Sequence, residues 1–288
     1  MPELVLLSES GGVATLSLNR PGQLNAFGDD LREQLLAALD AVARRRETRV
    51  LVITGAGRAF CAGDDVHHLA RLKERGAGFD ELRSLLDAGR GAIERVAALP
   101  FPTLAAVNGV AAGAGLHLAL ACDLRIASNQ AEFRETSAPL GLHPGWGGTY
   151  HLPRLVGLAR ALELCWLGDV IDAAEALRIG LVNRVVSHER LGEEVAALAA
   201  RLAASPRTGA RLVKRTLTAS VHRPLGQCLD AEIEAEAACW DSPDAAEGLR
   251  AFVEKRSPAF DGAPPAARGA AEGANADAAP AAAARLFE

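Results

Sequence analysis

Apolar and polar positions in the first part of the chain alternate between strand and helix periods. Residues 4–7 and 13–18 are apolar on either side of a glycine pair, and this pattern predicts an antiparallel hairpin. Either Asp29 or Asp30 is expected to cap a helix that runs to about Arg45. Its leucines recur every three or four residues, so one face of this helix is expected to pack on the core.

The middle of the chain repeats a unit of buried strand, glycine-rich turn and helix. A short apolar run at 50–54 leads into a glycine-rich loop at 56–65, which begins a second helix. An amphipathic helix follows at 80–99, and strand, glycine turn and helix recur over 103–121. This alternation predicts an α/β fold with parallel strands, whose ligands bind at the carboxyl ends of the strands.

After about residue 158 the pattern predicts helices alone, at 159–167, 173–179, 191–203, 209–220, 225–240 and 245–255. We therefore divide the chain into a core at 1–200 and a helical oligomerisation region at 201–261. The remainder, 262–288, is rich in alanine, glycine and proline. It lacks the bulky apolar residues that offset ordering entropy, so we expect it to be disordered.

Composition excludes several classes of protein. The 288 residues are 49% hydrophobic, with a net charge of −5 and a single tyrosine, which argues against nucleic acid as a partner. No apolar run is long enough to cross a membrane, and the amino terminus does not resemble a secretory signal. Five scattered cysteines lack metal-ligand spacing, and His67 and His68 are adjacent, so no metal site is predicted. Buried thiols in a reducing environment indicate a cytoplasmic protein.

Residues 101–128 carry the most informative pattern: buried strand, Gly113-Ala114-Gly115 turn, short helix, buried strand. The turn has almost no side chain, so a ligand can approach the N–H groups that begin the helix. Those donors and the positive end of the helix dipole suit a developing oxyanion. His117 lies one turn into the helix and is expected to face the same space. If the site worked by carboxylate chemistry, an acidic residue would be expected at this position instead.

Five segments, in order and at matching spacing, carry the motifs of one superfamily. They lie at residues 18–27, 55–66 (GAGRAFCAGDDV), 105–128, 140–157 (LGLHPGWGGTYHLPRLVG) and 252–256. Each motif alone is weak, but together they closely resemble the crotonase (enoyl-CoA hydratase/isomerase) superfamily over roughly residues 3–261. No serine-hydrolase elbow and no nucleotide-phosphate loop compete with this interpretation.

The resemblance implies an α/β, crotonase-like spiral of β-β-α units with a helical C-terminal trimerisation region. It implies a homotrimer or homohexamer acting on an acyl-CoA substrate, with coenzyme A as part of that substrate and no separate cofactor. By motif position, the backbone N–H groups of Asp64 and Ala114 would form the oxyanion hole. Such donors contribute about 3 kcal/mol each. Both positions follow a strand, adjoin glycine and begin a helix, which agrees with this role.

The same resemblance suggests which residues hold the substrate. The turn that begins at Arg20 would hold the adenine end through its backbone, and a basic residue near the carboxyl end would meet the phosphates. By motif position, the substrate-binding and coenzyme A-binding residues are Arg20, Asn25, Ala26, Phe27, Arg58, Ala62, Gly63, Gly113, Gly115 and Lys255.

Three positions depart from the superfamily pattern. Typical hydratases carry one glutamate four residues after the first glycine of the turn and another four residues after a phenylalanine. Here those positions are His117 and Ser137. A common isomerase variant places an aspartate where this chain has Gly145. The two-glutamate hydration mechanism therefore cannot be carried over residue by residue.

Four residues are candidates to replace the missing acids. His117 can serve as base and acid near neutral pH, or it is a histidine that only packs its helix. Glu135 either shares a face with Ser137 and reaches the site, or it is an exposed glutamate at a strand end. His143 lies in a loop beside a glycine-rich segment, where it is either catalytic or simply solvated. Ser137 is expected to orient water rather than to act as a base.

The sequence leaves the reaction open. Hydration of a 2-enoyl-CoA is the default reaction of the superfamily. The missing glutamates favour isomerisation, hydrolysis or decarboxylation, all of which use the same oxyanion hole. A non-catalytic acyl-CoA-binding homologue is the alternative from another class, and RNA binding ranks below it. The acidic side chains of Asp64 and Asp65 are expected to cap a helix and to point away from the oxyanion.

Overall fold

The computed structural model describes residues 2–260, so the disorder predicted for 262–288 lies outside the described residues. The strands are β1 (Val5–Ser10), β2 (Val13–Leu18), β3 (Val50–Gly55), β4 (Ala59–Cys61), β5 (Thr103–Val107), β6 (Val110–Ala112), β7 (Leu124–Ser128), β8 (Glu132–Arg134), β9 (Val170–Asp172) and β10 (Arg184–Val186). The helices are α1 (Asp29–Arg44), α2 (Val66–Glu74), α3 (Phe79–Ala98), α4 (Ala114–Ala121), α5 (Gly148–Val156), α6 (Leu158–Leu167), α7 (Ala173–Arg178), α8 (Leu191–Ala203), α9 (Arg207–Ser220), α10 (Leu225–Trp240) and α11 (Pro243–Val253).

Two sheets organise the α/β fold. The larger has the order β1-β2-β3-β5-β7-β10, and the smaller has the order β4-β6-β8-β9. β1 and β2 form the predicted antiparallel hairpin, and β2, β3, β5, β7 and β10 run parallel. Strand, turn and strand recur in each unit, so that β3–β4, β5–β6 and β7–β8 each add one strand to both sheets. The prediction of β-β-α units is confirmed.

The prediction of helices alone after residue 158 is wrong. β9 and β10 add a strand to an edge of each sheet, where β9 pairs with β8 and β10 pairs with β7. Each has three residues, too few to produce a recognisable two-residue period, and their pairing partners lie elsewhere in the chain. The loop predicted at 56–65 likewise contains a short strand, β4, which pairs with β6.

The core packs on both faces of the larger sheet. On one face α8 contributes Leu191, Val195, Ala199 and Ala203 to a cluster with residues of β3, β5 and β7. The predicted division at residue 200 falls within α8 and stays a prediction. On the other face α4 is enclosed completely, since all eight of its residues are buried. The sheets therefore hold α4, and the glycine turn before it, in a fixed position.

Candidate active site

The two glycine turns predicted to donate N–H groups lie against each other. Gly63 has φ +93°, and a methyl group on it would lie 2.7 Å from the Ala112 oxygen and 3.3 Å from the Ala114 nitrogen. Gly113 has φ +47°, and a methyl group there would lie 2.4 Å from Thr136 Oγ1. Only glycine fits both positions, because each combines a positive φ with a close neighbour.

The backbone around Asp64 leaves its N–H available. Phe27 N donates to Gly63 O at 2.7 Å, and Asp65 N donates to Phe27 O at 3.1 Å. In this parallel bridge the N–H of Asp64 itself points away from Phe27. The Ala114 N–H is the first of α4, where no intrahelical acceptor exists. Both residues line one cavity, so the structure brings together the two predicted oxyanion donors.

Both acidic side chains at this turn are engaged elsewhere. Arg32, itself 3% exposed, donates to Asp64 Oδ1 at 2.7 Å. Asp65 accepts from His68 N at 3.1 Å, so it caps α2 as predicted, and it pairs with Arg20 at 3.2 Å. Burial raises the pKa of Asp65, but these hydrogen bonds and the charge of Arg20 lower it overall. Each carboxylate is paired with an arginine, so neither leaves an uncompensated negative charge beside the oxyanion position.

His117 and Glu135 form a buried pair below the Ala114 turn. Their side chains are 1% and 0% exposed, and Glu135 Oε1 contacts His117 Nε2. Ser137 Oγ donates to the other carboxylate oxygen at 3.2 Å. Burial raises the pKa of Glu135, yet the hydrogen bond and charge of His117 and the hydrogen bonds from Ser137 bring it below its usual value. Glu135 is therefore ionised at neutral pH, and its reading as an exposed strand-end residue is wrong.

The imidazole of His117 has one nitrogen without a partner. Its Nδ1 is buried and makes no hydrogen bond within residues 2–260. Gly148 at the start of α5 covers the ring, and a methyl group on it would lie 2.2 Å from Nε2. Because Nε2 faces a carboxylate, the neutral ring carries its proton there and keeps a lone pair on Nδ1. Because His117 also lines the cavity, its imidazole is a candidate base for a ligand bound there.

His143 and Ser137 also line the cavity, but their surroundings differ. His143 is exposed, and its Nδ1 lies 2.8 Å from the Pro144 oxygen. Ser137 is 9% exposed and is bonded to Glu135. The structure thus groups His117, Glu135 and Ser137, and leaves His143 at the solvent side of the same cavity.

The cavity beside these residues is mostly apolar and measures about 260 Å³. Among the described residues that line it, Asp64 is the one acidic residue. Trp146, with φ +48°, stacks on Phe27 at 4.4 Å between ring centroids and forms part of the wall while being buried itself. A second cavity of about 540 Å³ continues from it. The two cavities share apolar side chains of α2, α3 and the 140–142 turn: Val66, Leu69, Phe79, Leu82, Leu140 and Leu142.

The residues predicted to bind coenzyme A have two kinds of environment. Asn25 and Phe27 are fully buried, Asn25 donates to the Ala59 and Ala56 oxygens, and the backbone of Phe27 is bonded to that of Gly63 and Asp65, so neither residue is accessible to a ligand. Arg58 and Lys255 are exposed, Lys255 just beyond the end of α11. Of the remaining predicted residues, Ala62 and Gly113 line the cavity and Gly63 lies beside Ala114. Gly115 lies inside α4 against Cys61, and Arg20 donates to the Ala26 oxygen and pairs with Asp65.

Sequence reasoning missed three supporting residues. Arg32 orients Asp64 from α1, and Gly148 covers His117 from α5. His151, also on α5, has its pKa lowered to about 4 by burial and by the charges of Arg125, His117 and Arg154. It therefore stays neutral and adds no charge beside His117. None of these carries a sequence signal, because each acts through a contact between separate elements.

Comparison with known proteins places the chain in a family. The family model described as enoyl-CoA hydratase/isomerase matches residues 8–263. The chain is 40% identical to the 1,2-epoxyphenylacetyl-CoA isomerase of Escherichia coli, over 91% of this chain and 100% of that protein. It is 37% identical to the crotonyl-CoA hydratase of Syntrophomonas wolfei, over 90% of this chain and 98% of that one.

A solved structure agrees with the sequence relatives. The enoyl-CoA hydratase of Bacillus anthracis superimposes with a TM-score of 0.85 at 37% identity, covering 90% of this chain and 99% of that one. Within residues 2–260 no helix is long and apolar enough to cross a membrane. The same residues contain no group of three or more side chains suited to hold a metal ion.

Proposed function

Because the chain belongs to the enoyl-CoA hydratase/isomerase family, we propose that it moves a proton on the acyl group of a coenzyme A thioester, with His117 as acid and base. The observation that carries this proposal is the buried His117–Glu135 pair beside the two N–H donors. Asp64 is the one carboxylate among the described residues of the cavity wall, and Arg32 holds it. His117 and His143 are the histidines of that wall, and His117 is the one paired with a buried carboxylate.

A single base suits double-bond isomerisation better than a reaction that needs two acids. His117 Nδ1 takes a proton from C2 of a 3-enoyl thioester, and the C2 electrons delocalise onto the thioester oxygen. The N–H groups of Asp64 and Ala114 stabilise that enolate. The imidazolium returns the proton to C4, and the double bond moves from C3–C4 to C2–C3. Glu135 fixes the tautomer and stabilises the imidazolium.

Glu135 keeps its negative charge over the neutral range. Because the folded pKa of Glu135 is lowered, its ionised form stabilises the fold above the usual value of 4.5. That stabilisation is lost only as the pH falls through the lowered pKa.

Hydration is the second candidate, and Ser137 favours it. Its hydroxyl lines the cavity next to Glu135, where it can position a water molecule for His117 to activate. The water oxygen would then add to C3 of a 2-enoyl thioester, and its proton would pass to C2.

Isotope labelling separates these reactions. We expect a 3-enoyl-CoA deuterated at C2 to yield 2-enoyl-CoA that keeps part of the label at C4, because His117 is 1% exposed and exchanges slowly with solvent. His117→Ala should lower kcat by about 10²–10⁴-fold. Glu135→Gln should lower it less, and Ser137→Ala should slow hydration more than isomerisation.

Other outcomes exclude the proposal. A mass gain of one water on a 2-enoyl-CoA, without isomerisation, would establish hydration instead. Release of free coenzyme A or carbon dioxide would indicate hydrolysis or decarboxylation. Tight binding with no chemical change would support a non-catalytic acyl-CoA-binding protein. Full turnover in His117→Ala would rule out its role as the base.

We also propose that a second copy of this chain covers the C-terminal helices. None of the 16 residues of α10 is buried, yet Leu225 is 74%, Ile233 70% and Trp240 68% exposed. Neighbouring apolar residues on α9, directly after it and on α11 extend the surface: Val213, Leu217, Val221, Leu249, Phe252 and Val253. An apolar surface of this extent marks an interface. The expected assembly is a homotrimer or homohexamer.

A further inference from the structure

A separate cavity of about 410 Å³ lies at the opposite end of the parallel strands from the oxyanion turns. Its walls come from the segment that precedes β3, the segment 100–102 that precedes β5, and the start of α9. The oxyanion turns follow β4 and β6, the short strands that come after the carboxyl ends of β3 and β5. Because a six-residue strand such as β3 spans about 20 Å, the two cavities are distinct sites.

Arginine dominates the wall of this cavity. Its lining contains six arginines and no acidic residue, in a chain whose net charge is −5. We call it the arginine pocket, formed by Arg44, Arg45, Arg46, Arg49, Arg207 and Arg211. Like charges repel each other when they are gathered in one place, so a cluster of this kind needs either internal partners or an anion.

Two of these arginines hold the wall together. Arg49, 5% exposed, donates to the carbonyl oxygens of Ala203 and Ser205. Arg207 donates to the carbonyl oxygens of Arg46 and Thr48. These bonds join the start of α9 to the segment before β3, so the pocket has a defined shape rather than being a chance gathering of surface side chains.

Other arginines keep their charge available. Arg44, Arg46 and Arg211 are exposed, and none has a carboxylate within ion-pair distance in residues 2–260. Arg45 is paired with Glu9 at 2.9 Å. The helix dipole places about half a negative charge at the carboxyl end of α1. That partial charge can stabilise one nearby arginine, but it does not explain a group of three. The amino end of α9, with no side-chain cap, adds N–H groups to the same wall.

We propose that the arginine pocket binds a small molecule that carries at least two linked phosphate groups. Guanidinium groups bind phosphate oxygens through paired hydrogen bonds, and three unpaired arginines match the charge of a diphosphate. Pro100, Phe101 and Pro102 form an apolar side of the pocket, against which the ring of a nucleoside diphosphate can pack. Binding there would connect α9 to the core.

Inorganic pyrophosphate and ADP are the probes for this site. We expect each to raise the melting temperature of the full chain saturably, well beyond the change produced by sodium chloride at equal ionic strength. Tighter binding of ADP would identify a nucleotide, and equal binding would identify the diphosphate alone. A change no greater than that with sodium chloride would overturn the proposal.

Matched variants locate the binding. Arg46→Ser combined with Arg211→Ser should weaken pyrophosphate binding at least tenfold and leave turnover of acyl-CoA unchanged, because both side chains are exposed and far from the cavity of His117. Arg215→Ser, one turn further along α9 and outside the pocket, is the control for a general loss of charge. If the double variant is unstable, the single variants Arg46→Ser and Arg211→Ser provide the same test of pyrophosphate binding.

Arg58→Ser distinguishes this site from the proposed coenzyme A site. It should weaken acyl-CoA binding and leave pyrophosphate binding intact. Pyrophosphate binding lost in Arg58→Ser, and kept in the Arg46/Arg211 variant, would show that the phosphate sits at the coenzyme A site. These experiments measure pyrophosphate binding and not turnover. Their outcome would therefore stand even if the proposed isomerase reaction were disproved.

Discussion

Helices α4 and α10 are both rich in apolar residues, yet they have opposite environments. All eight residues of α4 are buried, whereas none of the 16 residues of α10 is. The α4 sequence, AGLHLALA, is apolar on every side except for His117. The α10 sequence, LGQCLDAEIEAEAACW, carries an apolar stripe among acidic residues. A helix that is apolar all round is enclosed by its own chain, and a helix with an exposed stripe needs a partner surface.

The comparison also explains why His117 is informative. A polar side chain inside a fully enclosed helix costs free energy unless it is hydrogen-bonded. Glu135 meets that requirement at Nε2, and Nδ1 has no partner within the described part of the chain, residues 2–260. On α10 the polar residues face solvent, so they imply no such role. Burial thus turns a single histidine into a candidate base.

Gly115→Ala tests the enclosure of α4 and should have the largest effect. The added methyl group would lie 2.2 Å from the Cys61 oxygen and 2.6 Å from its Cβ. We expect the free energy of unfolding to fall by about 3 kcal/mol, because both α4 and β4 must move. Denaturant titration at fixed protein concentration measures it.

Gly226→Ala on α10 is the matched control. Nothing lies within 4 Å of its added methyl group, and alanine is the better helix former by about 1 kcal/mol. Equal losses of stability in the two variants would contradict the claim that α4 is enclosed more tightly than α10.

Gly148→Ala tests whether enclosure positions the base. Its methyl group would lie 2.2 Å from His117 Nε2 and would push the ring away from Glu135. A displacement of about 1 Å can cost 100-fold in rate, so we expect kcat to fall by about 10- to 100-fold. Steady-state kinetics on the acyl-CoA substrate would check this. An unchanged kcat would mean that the position of the imidazole does not limit catalysis.

Ile233→Asp tests the exposed apolar residues of α10. Of these variants it should change the stability of the single chain least. The side chain is 70% exposed, so the helix content should be unchanged and the stability of one chain should shift by about 0.5 kcal/mol or less. The mass in solution, measured by light scattering, should instead fall to that of a smaller species. Glu234→Gln is the control, and an unchanged mass in Ile233→Asp would remove α10 from the interface.

The glycine turns could be predicted from sequence because their requirement is local. Gly63 and Gly113 need a positive φ and no side chain, and the motif positions identified Asp64 and Ala114 as the adjoining donors. Long helices such as α3 were also predictable, since their periodicity extends over several turns. β9 and β10 were missed because three residues carry no period, and their pairing depends on strands far along the chain.

Side-chain partners were not predictable in the same way. Glu135 was a candidate with two open interpretations, because the sequence places it two residues from the usual position. The fold turns it inward until it contacts His117 across 18 residues of chain. Arg32 reaches Asp64 across 32 residues, and no local pattern marks that pairing.

The sequence by itself determined the α/β alternation, the two glycine turns, the family and the set of residues from which the base had to come. Tertiary structure alone decided which of those residues meet, that His117 keeps a free nitrogen, and that arginines from 44–49 and 207–211 share a pocket. The physical reason is distance along the chain. Backbone conformation and burial period are local properties, whereas the contacts of a side chain depend on which element the packed core brings against it.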